Sequence, residues 1–163
     1  YPNPDYPIPI FGADIVETPT VVTAAIVDLS PVFGTDRLIE IFKDVSYKYQ
    51  FTENRPLPLW GDEIFSQGCK FIRIKTDEEK YNYLQLVKDT LNLYRGIVEN
   101  AVFDMQWINT MKRIDDQCWY CTSQRKNKKT KAVLSQWFDP EWAEDYINDV
   151  LFDKPKWQAL SNT

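Results

Sequence analysis

The sequence predicts one α/β domain in which a sheet is flanked by helices. Residues 20–31 form a long run of small and β-branched residues with almost no alternation, which is typical of a strand buried on both faces. Elsewhere, apolar residues recur at the spacing of amphipathic helices. The 163 residues suffice for one domain with a substantial core, and a hydrophobic content of 44% excludes a disordered chain.

The first half of the chain predicts three strands and one helix. The first strand precedes the long apolar run, and the third is indicated by Ile72 and Ile74, which alternate with basic residues. A helix start at Gly34-Thr35-Asp36 is followed by apolar residues at helical spacing. The predicted elements are strands near Ile10 to Val16, over 20–31 and over Gly68 to Lys75, a helix from about 34 to Tyr49, and an irregular segment over 60–65.

The second half predicts helices. Thr76 to Glu79 form a capping box, and the apolar face of the helix that follows is predicted to be Leu84, Val87, Leu91, Tyr94 and Val98. A second helix is expected from near Phe103 to Phe138, with an interruption around Asp115. A final helix starts at Asp139-Pro140, an N-cap followed by a proline at the first position, and ends near Phe152.

Composition limits the chemistry. A net charge of −5 argues against general nucleic-acid binding. The chain has no histidine, so acid–base chemistry falls to carboxylates, Lys, Tyr, Cys or the substrate. The three cysteines are expected to be reduced thiols in a cytosol-like compartment, and three cysteines without histidine are too few for a zinc site.

Two carboxylates lie in apolar segments. Asp14 follows Gly12 in the first strand, where it either caps a turn or faces a cavity in which a proton is needed. A carboxyl group has an ordinary pKa of about 3.9, so a proton donor near neutral pH needs apolar cover, which a flat ligand could supply. Asp28, at the end of the long apolar run, is expected to tie down the end of its strand.

Basic residues are concentrated in residues 124–131, a strongly basic segment in an acidic protein. One interpretation is a solvated helix face, and the other is an anion site that holds ligand carboxylates or docks an acidic protein. Arg55 stands alone among prolines, either as an unpartnered surface residue or as a second anion clamp. Composition does not decide between these alternatives.

Several motifs, spread in order over nearly the whole chain, resemble the ferredoxin-dependent bilin reductases. They are Pro9-Ile-Phe-Gly-Ala-Asp14-Ile-Val, Thr23-Ala-Ala-Ile-Val-Asp28-Leu-Ser-Pro31, Leu57-Pro-Leu-Trp60-Gly61, Glu63-Ile-Phe-Ser66, Phe71-Ile72-Arg73, Gln124-Arg-Lys-Asn127-Lys-Lys129-Thr130 and Trp142-Ala-Glu-Asp-Tyr146-Ile-Asn-Asp-Val150-Leu151-Phe152-Asp153. Several motifs in one chain are far more specific than any one of them.

The resemblance implies an α/β/α sandwich with a central antiparallel sheet. Biliverdin IXα would lie between the sheet and the C-terminal helices, and reduced ferredoxin would supply single electrons through bilin radicals, with no bound cofactor or metal. Asp14 matches the catalytic aspartate of the family. The substrate-binding residues are expected to be Arg55 and Lys129 at the propionates, Thr23 near a propionate, and the pocket residues Gln124 and Asn127. Ferredoxin would dock on Arg125, Lys126, Lys128 and Lys131.

The resemblance also bears on the product and on completeness. Relatives that form phycoerythrobilin or phytochromobilin carry a second aspartate, in an Asp-Pro pair, where this chain reads Asn127-Lys128-Lys129-Thr130. We therefore expect phycocyanobilin, with phycoerythrobilin as the alternative. A catalytic histidine and a glutamate of the family would lie upstream of the match. Residues 1–163 are accordingly expected to form a single bilin reductase domain that lacks its N-terminal part.

Two other hypotheses compete with a reductase. One is a protein that binds bilins without reducing them, as a degenerate or truncated relative of the reductases would. The other is an α/β interaction domain that binds an acidic protein through residues 124–131. For a reductase, we expect a monomer in the cytoplasm of a phototroph or phage-infected phototroph, or in a plastid stroma, with neither nucleic acid nor membrane as a partner.

Overall fold

The computed structural model describes residues 1–155, so the last eight residues of the expected domain lie outside the described part of the chain. The described residues contain a three-stranded antiparallel sheet. The strands are β1 (Ile10–Glu17), β2 (Val22–Ser30) and β3 (Lys70–Ile72), in the order β1-β2-β3. The three predicted strands are confirmed, although β3 is shorter than predicted. The apolar run forms the central strand, and its last four residues are all buried.

Six α-helices and one π-helix complete the described fold. They are α1 (Asp36–Tyr47), α2 (Leu59–Asp62), α3 (Asp77–Glu99), α4 (Trp107–Gln124), α5 (Lys128–Trp137) and α6 (Pro140–Asp145), which continues into a π-helix (Tyr146–Leu151). The short α2 lies in the segment that was expected to be irregular. The predicted helix from 103 to 138 is two helices, and its interruption lies at 125–127, not at Asp115.

Helices α1 and α3 cover one face of the sheet. Leu29 of β2 packs with Phe42 of α1 and Ile97 of α3, all at most 9% exposed. Further along the same face, Val27 packs in one cluster with Leu86 of α3. Burying large apolar side chains contributes about 2–3 kcal/mol each, so these contacts hold the layer in place.

The buried side of α3 matches the predicted one only in part, because Val87 and Tyr94 pack against the core but the other three predicted residues do not. Leu84, Leu91 and Val98 are 46–51% exposed, whereas Tyr83 and Leu86 of the same helix are at most 2% exposed. The apolar side chains mark more than one stripe on this helix, and the stripe that is buried also carries polar groups. Those groups have partners in the fold, which the sequence pattern does not reveal.

Helix α4 covers part of the opposite face of the sheet. Tyr120 of α4 packs with Ile10 of β1 and Ile64, each at most 9% exposed. Ile10 and Leu29 point to opposite faces, because Leu29 pairs with Phe11, the residue after Ile10. The sheet therefore lies between two helical layers, as in the expected three-layer sandwich.

Side-chain caps start two of the helices as predicted. Thr76 Oγ1 accepts a hydrogen bond of 3.1 Å from the amide of Glu79, and Asp139 Oδ1 accepts one of 2.8 Å from the amide of Trp142. Asn127 caps α5 by accepting from the amides of Lys129 and Thr130 at 3.2 and 3.3 Å, which explains why the helix breaks there. Within residues 1–155, no helix has the length and apolar character to cross a bilayer.

Candidate functional site

Asp14 lies in the middle of β1, directly opposite Ile26 of β2. Paired residues of antiparallel strands point to the same face, so Asp14 and Ile26 share a face with the next such pair, Val16 and Ala24. Asp14 and Val16 are exposed, and Ala24 and Ile26 are half-buried. We call these four residues the Asp14 face. Since Asp14 lies within a strand, the turn-capping alternative is wrong.

The hydroxyl of Tyr83 lies behind Asp14. It is 2.9 Å from the carbonyl oxygen of Asp14 and 2.7 Å from that of Ile26, and it can donate to either. Tyr83 comes from α3 and is 2% exposed, and burial raises its pKa well above the ordinary value of a phenol. Tyr83 thus ties β1 to β2 at the position of Asp14. Sequence reasoning missed it because the adjacent stripe of α3 was expected to be buried.

Arg55 is held beside the same strands. Its guanidinium donates to the carbonyl of Thr23 at 2.9 Å and lies 4.9 Å from the centre of the Phe71 ring. Phe71 of β3 is opposite Ile26, so it belongs to the face that carries Asp14. Thr23 itself donates to the carbonyl of Val16 at 3.1 Å. The sheet thus brings together Asp14, Thr23 and Arg55, three of the predicted site residues.

Tyr120 and Gln124 of α4 lie over the other end of this face. A Cβ at Gly12, two residues before Asp14, would lie 3.6 Å from the Tyr120 hydroxyl oxygen. Gln124 Nε2 donates to that oxygen at 2.9 Å, and burial raises the pKa of Tyr120 to about 12. Among the predicted pocket residues, Gln124 is therefore linked to the sheet through the hydroxyl of Tyr120.

Asn127 and Lys129 lie just beyond Gln124: Asn127 is the N-cap of α5, and Lys129 is in the first turn of that helix. Asn127 uses its side-chain oxygen to cap α5, and Lys129 is exposed. Helix α5 packs against α6 and has no buried residue among its ten. The structure thus places Gln124, Asn127 and Lys129 around the α4–α5 junction, whereas Asp14 and Thr23 lie on the sheet and Arg55 lies beside it. Tyr120 lies between the two groups.

The residues expected to dock ferredoxin have different environments. Lys126 lies 3.6 Å from the Glu63 carboxylate and 4.7 Å from the centre of the Trp119 ring. Lys131 forms an ion pair with Glu144, and Lys128 is exposed. Exposed ion pairs contribute little to stability, so these lysines can exchange partners. Arg125, in contrast, directs its guanidinium at backbone carbonyls inside the fold.

Two cavities lie outside the Asp14 face. One of about 280 Å³ lies between Phe33, Glu63 and Trp119, and one of about 330 Å³ lies between Tyr1, Phe11 and Tyr94. Asp14, Arg55 and Lys129 line neither cavity. The Asp14 face is open, so the apolar cover that a proton donor needs would have to come from a bound ligand.

Asp28 is buried next to this region, opposite Gly12 in the β1–β2 pair. Its carboxylate accepts from the hydroxyls of Ser30 at 2.7 Å and Ser66 at 2.6 Å, and also from the amide of Ser66. These bonds attach the end of β2 to the loop before β3, which confirms that Asp28 ties down its strand. Burial nevertheless raises the pKa of Asp28 to about 6, because the hydrogen bonds only partly offset the lost hydration.

This raised pKa predicts a pH-dependent stability. Between about pH 4 and 6, the folded state still binds a proton on Asp28 that the unfolded state has lost. The stabilisation of the folded state by this proton is therefore complete below about pH 4 and disappears as the pH rises through about 6. We expect a loss on the order of 2–3 kcal/mol, measured by urea unfolding from pH 4 to 8. The free energy of unfolding of Asp28→Asn should not show this decrease between pH 4 and 8. A wild-type minus variant difference that does not change with pH would contradict the prediction.

The fold and the site define an α/β protein whose central sheet exposes an aspartate and an arginine on one open face. The family model described as ferredoxin-dependent bilin reductase matches residues 1–153. The chain belongs to the ferredoxin-dependent bilin reductase family.

Individual relatives agree with this assignment. The chain is 40% identical over 154 residues to phycocyanobilin:ferredoxin oxidoreductase of Prochlorococcus marinus (strain MIT 9515), covering 94% of this chain and 64% of the relative. It is 38% identical over 163 residues to the protein of that name from Trichodesmium erythraeum (strain IMS101), covering 95% and 64%. The chain thus spans less than two thirds of the length of these relatives.

A solved structure has the same fold. Phytochromobilin synthase from tomato, determined in complex with biliverdin, superimposes with a TM-score of 0.76 over 94% of this chain and 58% of that chain. The sequence identity is 18%, so this likeness concerns the fold.

Proposed function

We propose that this chain binds biliverdin IXα at the Asp14 face and reduces it with electrons from ferredoxin, most simply to phycocyanobilin. The observation that carries the proposal is the placement of Asp14 and Arg55 on one open, largely apolar face of the sheet. A planar tetrapyrrole needs such a face, and its propionates need cationic partners. Membership of the bilin reductase family and the names of the relatives support the substrate and the donor.

In the proposed mechanism, electrons arrive one at a time from ferredoxin and pass through bilin radicals. Each electron added to a bilin double bond is matched by a proton, so charge does not accumulate on the pigment. Asp14 would supply protons to the pigment and recover them from solvent. Arg55 and Lys129 would hold the propionates, with Thr23 beside one of them, while Gln124 and Asn127 contact polar atoms of the pigment.

Ferredoxin would dock on the exposed lysines near the α4–α5 turn. Lys126, Lys128 and Lys131 present positive charge there, although the chain as a whole is acidic. Such a patch would steer an acidic electron donor and make its binding sensitive to salt. We also propose that the chain acts as a monomer, because Asp14 and Glu17 place carboxylates on the exposed strand β1 and disfavour its pairing with a second copy.

An anaerobic assay tests this function directly. The chain is mixed with biliverdin IXα and reduced ferredoxin, and the extracted pigment is separated by chromatography. We expect new absorption bands that survive extraction, from a pigment that elutes with phycocyanobilin. A pigment that elutes with phycoerythrobilin would change the proposed product but not the proposed reduction. The same mixture without ferredoxin serves as the control.

Two other results would favour the alternative functions. Shifted and sharpened biliverdin bands, with unchanged biliverdin after extraction, would indicate a bilin-binding protein. Salt-sensitive binding of an acidic protein with no affinity for tetrapyrroles would indicate an interaction domain.

A further inference from the structure

Arg125 is the first residue after α4, and its side chain points into the fold. Nη2 donates to the carbonyl of Asn148 at 2.8 Å and to that of Phe152 at 2.8 Å, and Nε donates to Phe152 at 3.2 Å. Within the basic segment 125–131, Arg125 binds backbone carbonyls, whereas Lys126 and Lys131 face exposed carboxylates. Arg125 is therefore unlike these neighbours in the basic segment.

The carbonyls that Arg125 binds lie at the C-terminal end of the π-helix (Tyr146–Leu151). The last carbonyls of a helix have no partner within it, and they carry partial negative charge. Because Arg125 lies just past the end of α4, its side chain connects that end to the C-terminal end of the π-helix. The side chain of Phe152 packs against the core cluster that contains Ile10 and Tyr120, so this attachment point is itself fixed.

A second contact joins the same two segments. The thiol of Cys121, one turn before Arg125 and fully buried, lies 3.6 Å from the carbonyl oxygen of Asp153. The end of α4 is thus attached to residues 148–153 at two successive turns. The three predicted substrate-binding residues Gln124, Asn127 and Lys129 flank the turn that begins there: Gln124 ends α4, Asn127 caps α5 and Lys129 lies in the first turn of α5.

From these contacts we infer that Arg125 is a positioning residue, which locks the α4–α5 turn to the end of the π-helix and so orients Gln124, Asn127 and Lys129. It acts on the pigment through those residues and does not dock the electron donor. The effect on pigment binding rests on the function proposed above, whereas the effect on the turn does not.

Lysine cannot replace Arg125 in this role. The guanidinium presents a planar fork with donors in fixed directions, and it reaches both carbonyls at once. An ammonium group has the same charge but concentrates it at one point at the end of a flexible chain. A docking role requires mainly the charge, whereas a clamp requires the fork.

The test compares Arg125→Lys, which keeps the charge, with Lys88→Gln, which removes a charge from an exposed position on α3. Amide hydrogen exchange is measured in both variants without pigment, and the affinity for biliverdin is measured by absorption titration. We expect Arg125→Lys to speed exchange about tenfold over residues 126–131 and 148–153 and to weaken biliverdin binding by about the same factor. Lys88→Gln should change neither the exchange rates nor the affinity for biliverdin.

The opposite pattern would overturn the inference. If the amides of Arg125→Lys exchange at the wild-type rate and this variant binds biliverdin as tightly as the wild type, the planar fork of the guanidinium is not needed. If Arg125→Lys unfolds the chain, its circular dichroism will show this, and Arg125→Gln examined at lower temperature repeats the comparison. If the wild type binds no biliverdin, the proposed function fails, but the exchange measurement still decides whether Arg125 locks the turn.

Discussion

Asp14→Asn is expected to bind biliverdin about as tightly as the wild type and to reduce it at least 100-fold more slowly. The amide has nearly the shape of the carboxyl group, so the open face that is proposed to receive the pigment is kept. It cannot donate and recover a proton at the acidity of a carboxyl group, and positioned proton transfer contributes about 10²–10⁴ to a rate. The rate is followed by absorption under anaerobic conditions, in single turnover with reduced ferredoxin.

The matched control is Glu17→Gln, a change of the other exposed carboxylate on β1. Glu17 pairs with Lys80 of α3 at 2.6 Å, and both side chains are well exposed, so the ion pair contributes little to stability. This variant should bind and reduce biliverdin normally. Normal turnover by Asp14→Asn would show that Asp14 is not the proton donor, and equal losses in both variants would indicate an effect of net charge on β1.

Much of the sheet follows from the local pattern in the sequence. An unbroken run of small and β-branched residues has only one stable place in an α/β fold, the middle of a sheet, and β2 lies there. Asp14 could also be selected from the sequence, because a carboxylate in an apolar strand requires a specific explanation. The resemblance to a family added Thr23, and it favoured an anion-binding role for Arg55 and Lys129, for which the local pattern left a solvated surface as the alternative.

Features that depend on contacts distant in sequence were not predictable. The buried stripe of α3 includes Tyr83, whose hydroxyl has its partners in β1 and β2, and nothing near residue 83 indicates this. The break after α4 lies at 125–127 because Asn127 caps α5, whereas the acidic pair at Asp115 is compatible with a continuous helix. Arg125 was predicted to belong to a docking surface because charge is visible in a sequence and the direction of a side chain is not.

Arg113 of α4 is a buried cation whose removal is expected to have a large effect on stability. It is 1% exposed, and its guanidinium donates to the carbonyl of Pro4 and, through two nitrogens at 3.1 Å, to the carboxylate of Asp104. The carbonyl of Pro2 is bound in the same way by Gln117, which donates at 2.9 Å. Arg113 thus fastens the segment that leads into β1, and therefore into the strand that carries Asp14.

Arg113→Met is accordingly expected to lower the free energy of unfolding by about 3 kcal/mol, measured by urea denaturation at neutral pH. Methionine fills much of the same space, so the loss reflects the missing charged hydrogen bonds, with little contribution from a cavity. The control is Arg95→Met on α3, whose partner Glu99 is 3.7 Å away and whose side chain is 72% exposed. Because water screens that pair, we expect a change within about 0.5 kcal/mol. Equal changes in the two variants would mean that the buried guanidinium contributes no more than a surface charge, and the N-terminal segment would then have to be held by its other contacts, such as the hydrogen bond from Gln117 to Pro2.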